Sequence, residues 1–273
     1  MKVAIVAHDF LGSREIVTRL VSENPDVEFE IFLTRGLYYR KSLLASIWKL
    51  LREASFRFSL YRGFWMLKYR LKGDRLVSRA RRWGIRTHVT RDINGAKSNS
   101  LMTAFSPDVT FSINTMHIVK EPTLSIPRLG TIGCHPSLIP AYRGLEIFFW
   151  VLVNGEDRAG ASVFFLTERV DHGQVIAQED FAISESETLA SMYEKENRHC
   201  AKLMARVLQD LKSNGSVGSV PTHVTEGESY LRPTQKAYRR FKAPDRKWSK
   251  GDYFPMPTGE AYRRFKATGR KWG

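Results

Sequence analysis

The first 34 residues, MKVAIVAHDFLGSREIVTRLVSENPDVEFEIFLT (1–34), read as strand, helix, strand. Val3–Ala7 is an unbroken apolar run too short for a core helix, so it reads as a short buried strand. Ser13 is placed to cap a helix to about Ser22, with Ile16, Val17, Leu20 and Val21 on one face. Glu28–Leu33 then alternates as a strand does. Outward from this unit the pattern repeats. Further strands are predicted at Arg86–Thr90 and Val109–Ile113, preceded by helical patterns at about 74–84 and 95–106. Thr131–Cys134, Ala161–Leu166 and Val175–Ile183 complete the strands. Ser184 and Glu187 have the spacing of a capping box. They would open a helix to about Leu211, with Leu189, Met192, Leu203, Val207 and Leu211 inward and Asn214-Gly215 as its stop. Strands alternating with helices predict an α/β fold: a Rossmann-like, mostly parallel sheet flanked by helices.

A chain of 273 residues with 42% apolar content can bury a sizeable core. Cys134 and Cys200 are too few for a disulfide framework, which favours a reducing, cytoplasmic setting. The opening apolar run is too short for a secretory signal, and no uncharged stretch approaches the ~18 residues of a membrane span. The net charge of +15 is localised. Segment 37–75 holds ten Lys/Arg against two acids, and 232–273 holds thirteen against three, so the remainder is slightly acidic. The body is therefore not a general polyanion binder, and nucleic acid is an unlikely partner.

Segment 37–75, LYYRKSLLASIWKLLREASFRFSLYRGFWMLKYRLKGDR, interrupts the α/β pattern with apolar and aromatic residues at helical spacing. It reads as a basic amphipathic helical insertion divided near Gly63. Either its apolar face packs on its own domain as a lid, or residues 40–72 lie on a membrane surface or a partner. The first alternative is the ordinary one; the second would place the protein peripherally at the inner membrane surface. The basic tail contains a repeat, PTQKAYRRFKAPDRKW (233–248) and PTGEAYRRFKATGRKW (257–272). Two copies are too few for a solenoid. They could clamp the tail onto the body or stack on bases and bind phosphates; the clamp is preferred.

The chemistry lies between Gly130 and Gln178. His135 ends a predicted strand, where open parallel sheets bind ligands. The loop after it is stiffened by Pro136 and Pro140 and ends at Gly144, and Asp171 sits in a second tight loop, VDHG (170–173). Two loops from one sheet edge would bring an imidazole and a carboxylate together. Bland alternatives are a core histidine and a turn aspartate. Cys134 is adjacent to His135 but points to the opposite face of a strand, so a thiol nucleophile is not expected. The seven histidines show no metal-ligand spacing, and no G-x-G-x-x-G is present, so neither a metal nor a tightly bound nicotinamide is expected.

His135, Ser137, Leu138, Ile139, Pro140, the Arg143-Gly144 pair, and Asp171 with Gly173 resemble the signature of the folate-dependent formyltransferases. That family acts on glycinamide ribonucleotide, initiator methionyl-tRNA and nucleotide-linked amino sugars. The stretch from Trp150 to Glu156 resembles the sugar-modifying branch, and the likeness spans about 100–190. The resemblance implies a catalytic domain over 1–215, a basic extension over 216–273, and 10-formyltetrahydrofolate as co-substrate. His135 would stabilise the oxyanion or move the amine proton, and Asp171 would hold the ring. The folate would lie against Val170 and His172 and the segment opening with Asn114 and Thr115. Ser137 and Arg143 would meet the acceptor, although Arg143 could equally brace its loop.

One position departs from the pattern. Gly133 stands where the family carries a catalytic Asn. Loss of one oxyanion donor typically costs ~3–4 kcal/mol. Asn114 could supply an amide from the neighbouring strand, a backbone N–H or water could substitute, or the site could bind without turnover. Among acceptors, a small-molecule amine is favoured, as an amino sugar on a nucleotide or lipid carrier. A methionyl-tRNA enzyme would need a larger β-rich C-terminal domain, and the compact glycinamide enzymes lack an insertion like 37–75. A 10-formyltetrahydrofolate hydrolase is a further alternative, and a homo-oligomer is compatible with all of these.

Overall fold

A computed structural model describes residues 1–9, 11–35, 43–53, 75–154, 156–184, 187–222 and 227–231, with single positions 56, 59, 60, 63, 64, 67 and 71. The elements in chain order are β1 (Lys2–His8), α1 (Leu11–Ser22), β2 (Glu28–Thr34), α2 (Leu43–Glu53), α3 (Leu76–Arg82), β3 (Arg86–Thr90), α4 (Ala96–Phe105) and β4 (Val109–Ile113). There follow β5 (Thr131–His135), β6 (Arg143–Gly144), α5 (Ile147–Asn154), β7 (Arg158–Phe165), β8 (Val175–Ala182), α6 (Leu189–Asn214) and β9 (Ser229–Tyr230).

β1 is apolar throughout because both of its faces are covered. Val3, Ile5 and Ala7 pack with Ile16, Val17 and Leu20 of α1 and with Met204, Val207 and Leu208 of α6. Ala4 and Val6 face the other way, onto Phe32 and the α4 residues Met102 and Phe105. Burial of a large aliphatic side chain contributes roughly 1.5–3 kcal/mol, so these two layers hold the sheet between its helices. The sheet order is β3-β2-β1-β4-β5-β7-β8. The first five strands are parallel; β7 is antiparallel to both β5 and β8. The mostly parallel α/β architecture predicted above is the one observed.

Three local expectations need correction. Helix α1 begins at Leu11, so Ser13 lies inside its first turn, fully buried, and does not cap it. The capping box of α6 is Thr188 with Ser191, each side chain bonding the other's main-chain N–H at 3.1 and 2.9 Å. Glu187 instead receives the Ser191 hydroxyl and Lys195 Nζ. The third correction concerns the lid. In the described part of 37–75 the apolar side chains point outward, with Leu44 80% and Leu71 77% exposed, rather than onto the domain. The tail repeat lies outside the described residues. Among those described, no helix is long and apolar enough to cross a membrane.

Candidate active site

His135 is the last residue of β5, at the carboxyl edge of the parallel strands, and is 5% exposed. Strand alternation puts it on the same sheet face as Gly133. Asp171 reaches it by an unexpected route. Because β7 is antiparallel, with Ile132 opposite Phe165 and His135 opposite Ser162, β7 ends at the far edge of the sheet. The two loops therefore do not leave one edge. Residues 166–174 fold back instead, bringing Asp171 Oδ2 to 3.5 Å from His135 Nδ1. Two glycines permit this return. A Cβ on Gly173 would lie 1.5 Å from the Phe165 carbonyl oxygen, so the loop can press onto its own strand only without a side chain there. A Cβ on Gly133 would lie 2.3 Å from Leu166 Cδ1. Leu166 thus occupies the space into which a side chain at 133 would project.

Both ends of the imidazole are engaged. Nε2 lies 2.8 Å from the Tyr142 main-chain oxygen. A carbonyl only accepts, so Nε2 carries a hydrogen and donates it, which fixes the ring's orientation. Nδ1 faces Asp171 at a separation longer than a hydrogen bond between charged partners, as an ion-pair contact. Asp171 adopts a positive φ of 54° and accepts from Gly144 N at 2.9 Å. The residue expected to hold the ring was Asp171; the Tyr142 carbonyl shares that task.

The other candidate residues fall in several places. Ser137, expected at the acceptor, is buried, and its hydroxyl donates to the Ala141 carbonyl at 2.6 Å, shaping the loop. Arg143 braces: Nη2 donates to Gly227 O at 2.7 Å, and Nη1 lies 2.8 Å from His172 Nε2. His172 Nδ1 donates to Val170 O at 2.6 Å, which leaves the Val170 side chain half-exposed beside Asp171. Asn114, φ 49°, has its amide nitrogen 3.0 Å from where a Cβ on Gly12 would stand, in a niche shared with Asn197 of α6. None of the bonds described joins it to His135. Thr115 Oγ1 accepts from His117 N at 3.2 Å within its own turn.

A second layer was not anticipated. Strand β9 pairs with β6, Arg143 opposite Ser229 and Gly144 opposite Tyr230, strapping the loop that carries the Tyr142 carbonyl. Tyr142 stacks on Tyr230 at 5.1 Å and donates its hydroxyl to Glu156 at 2.6 Å, while Asn154 Nδ2 donates to both phenols. Burial first, and the Glu156 bond second, push the Tyr142 phenol well above its ordinary range. Burial raises Tyr230 as well. The phenols are therefore neutral braces. The sequence carried no periodic signal for them: Tyr142 lies in the loop after His135, and Tyr230 stands alone among non-aromatic residues. Among the described residues no cluster of three or more His, Cys, Asp or Glu could hold a metal.

Residues 86–208 match the formyl transferase family. A stretch of 105 residues is 37% identical to the bifunctional polymyxin resistance protein ArnA of Wigglesworthia glossinidia brevipalpis. That stretch is 38% of this chain and 16% of the relative, so the match spans about a sixth of the relative's length. The structure is similar to a sugar N-formyltransferase from Shewanella sp. FDAARGOS_354, with a TM-score of 0.60 and 15% identity over 93% of this chain and 85% of that one. It is also similar to WlaRD, a sugar 3N-formyl transferase crystallised with dTDP and 5-N-formyl-THF: TM-score 0.51 and 14% identity over 84% of this chain and 70% of the other. At such identities the two structural likenesses speak for the fold, whereas the family match falls on β3 through most of α6 and includes both His135 and Asp171. Over residues 86–208, a segment that includes both His135 and Asp171, this chain is therefore similar to the formyl transferase family.

Proposed function

We propose that the protein transfers a formyl group from 10-formyltetrahydrofolate to a primary amine of an amino sugar carried on a nucleotide or a lipid. The observation that carries this reading is the pair of the buried His135 and the partly buried Asp171, 3.5 Å apart, inside the family-matching segment. The sugar N-formyltransferase likeness and the dTDP crystallised with WlaRD support the acceptor class. The 5-N-formyl-THF crystallised with it supports a folate donor.

The residues present suit such a donor in two respects. The half-exposed Val170 beside Asp171 offers an apolar edge to a flat ring. The imidazole and carboxylate form a pair able to relay one proton. They depart in a third respect, because the Leu166 methyl fills the place from which an Asn amide would reach the oxyanion. When bound, the folate supplies an activated formyl carbon. The chain's part is then as follows. The Tyr142 carbonyl holds the ring through Nε2–H, so Nδ1 is the nitrogen that exchanges protons. As the acceptor amine bonds to the formyl carbon, Asp171 and Nδ1 accept its surplus proton and deliver it to the departing folate nitrogen. Protonated on both nitrogens, the ring also stabilises negative charge on the formyl oxygen.

The test is turnover of 10-formyltetrahydrofolate with a panel of nucleotide-linked amino sugars, following tetrahydrofolate release and the mass gain of the acceptor. Turnover with the formyl mass increment, reduced about 10²–10⁴-fold in His135→Ala, is the expected result. Formate release with no acceptor would replace this reading by a hydrolase. Folate binding with no turnover would replace it by a binding protein, a reading favoured by Leu166 at the missing amide.

A further inference from the structure

The insertion between β2 and α3 presents apolar side chains to solvent at its described positions. Leu44, Trp48 and Leu51 of α2 stand at helical spacing and are exposed. Phe56, Leu60, Phe64, Leu67 and Leu71 continue at steps of four, four, three and four, again one helical stripe, and are 41–77% exposed. Among the described residues of the insertion, Ser46 is fully buried with no hydrogen-bond partner for its hydroxyl, and Ser59 is 9% exposed. A stripe of this length is larger than the scattered apolar residues of ordinary surfaces and marks a contact with something outside the chain.

Charge decides between the occupants. The segment carries ten Lys/Arg against two acids, interleaved with the apolar positions along the sequence. A second copy meeting this face through a two-fold axis would set two strongly basic surfaces against each other. An anionic bilayer offers both what the leucines need and what the lysines and arginines need: an acyl boundary beneath a negatively charged headgroup layer. We infer that residues 44–71 dock the protein on an anionic membrane surface.

The topology then sets the orientation. The insertion leaves the sheet after Thr34, at the carboxyl end of β2, and returns at Arg75. There the Arg75 guanidinium bonds Asp9 Oδ2 at 2.9 and 3.1 Å, and Leu76 N bonds Asp9 Oδ1 at 3.0 Å, just beyond the carboxyl end of β1. His135 ends β5 at the same edge. A docked insertion therefore roots at the edge that bears the candidate active site, where an acceptor presented at headgroup level would arrive.

The full chain is mixed with vesicles of phosphatidylcholine alone or containing a third phosphatidylglycerol, without donor or acceptor, so the outcome does not depend on formyl transfer. Co-sedimentation is expected with the anionic vesicles and weakly with the neutral ones. The combined exchange Leu44→Ser, Leu60→Ser, Leu67→Ser and Leu71→Ser, all at exposed positions, is expected to lower partitioning by roughly a hundred-fold with an unchanged thermal melt. The inference is overturned if the chain ignores anionic vesicles. It is also overturned if the serine variant still binds them, since the basic tail would then suffice. Concentration-dependent dimerisation abolished by the same four exchanges, with no vesicle binding, would assign the stripe to a second copy instead.

Discussion

On the proposed formyl transfer, residue 133 lacks the amide donor that the resemblance implies. Leu166 Cδ1 stands 2.3 Å from where a Cβ at 133 would lie, so that space is filled. Asn at 133 alone would have to turn aside the Leu166 side chain, whose Cδ1 meets it. Gly133→Asn is therefore expected to gain less than Gly133→Asn combined with Leu166→Ala, which clears room for the amide. The double variant should raise the turnover number by about 10²-fold while the KM for the folate changes little. Equal turnover in parent and double variant would show that no oxyanion donor is lacking. His135 and Asp171 could be singled out from the sequence because they sit in a motif. The Tyr142 carbonyl could not, since a main-chain oxygen leaves no mark on residue type. Leu166 was equally hidden: only the return path of its loop gives it a role.

At the scale of elements, what could be read in advance follows burial. Strands covered on both faces and helices covered on one announce themselves by period, and β3 and β4 have the predicted ends. Direction is a different matter. An antiparallel strand buried on both faces has the same apolar run as a parallel one, so β7 gave no warning that its loop must fold back. β9 has two residues and no period, yet it secures the His135 loop. Gly227 is its point of vulnerability. A Cβ there would lie 2.3 Å from Ala141 Cα and 2.4 Å from Pro140 O, main-chain atoms that no rotamer change relieves. Gly227→Ala should lift the strap and cost about 1–3 kcal/mol. Hydrogen exchange checks this locally. The amides of Arg143 and Leu145, bonded to Glu228 O and Tyr230 O at 3.0 Å each, should lose protection while those of β1 keep theirs. Unchanged protection at Arg143 and Leu145 would mean the strap tolerates the side chain.

Across the whole molecule, the packing of α6 against the sheet carries a deeply buried acid. Glu196 of α6 is 3% exposed, and its Oε1 accepts from the Cys200 thiol at 3.4 Å. Burial pushes its carboxyl up to about 8; the Cys200 bond opposes the shift, and the nearby Glu15 carboxylate adds to it. Glu15 is itself raised, chiefly by burial. The folded state thus keeps Glu196 protonated below pH 8, while the unfolded chain ionises it from about 4.5 upward. Between those values the unfolded state binds fewer protons, so stability falls as pH rises through the window and levels off above it. Unfolding by urea from pH 5 to 9 should show this decline, on the order of a few kcal/mol for a group so deeply buried. Glu196→Gln keeps the shape and removes the ionisation. Its stability should vary less over the same window and exceed that of the parent at pH 8.5. Parallel curves for the two proteins would place the pH dependence elsewhere and show that Glu196 ionises in the fold as readily as in the open chain.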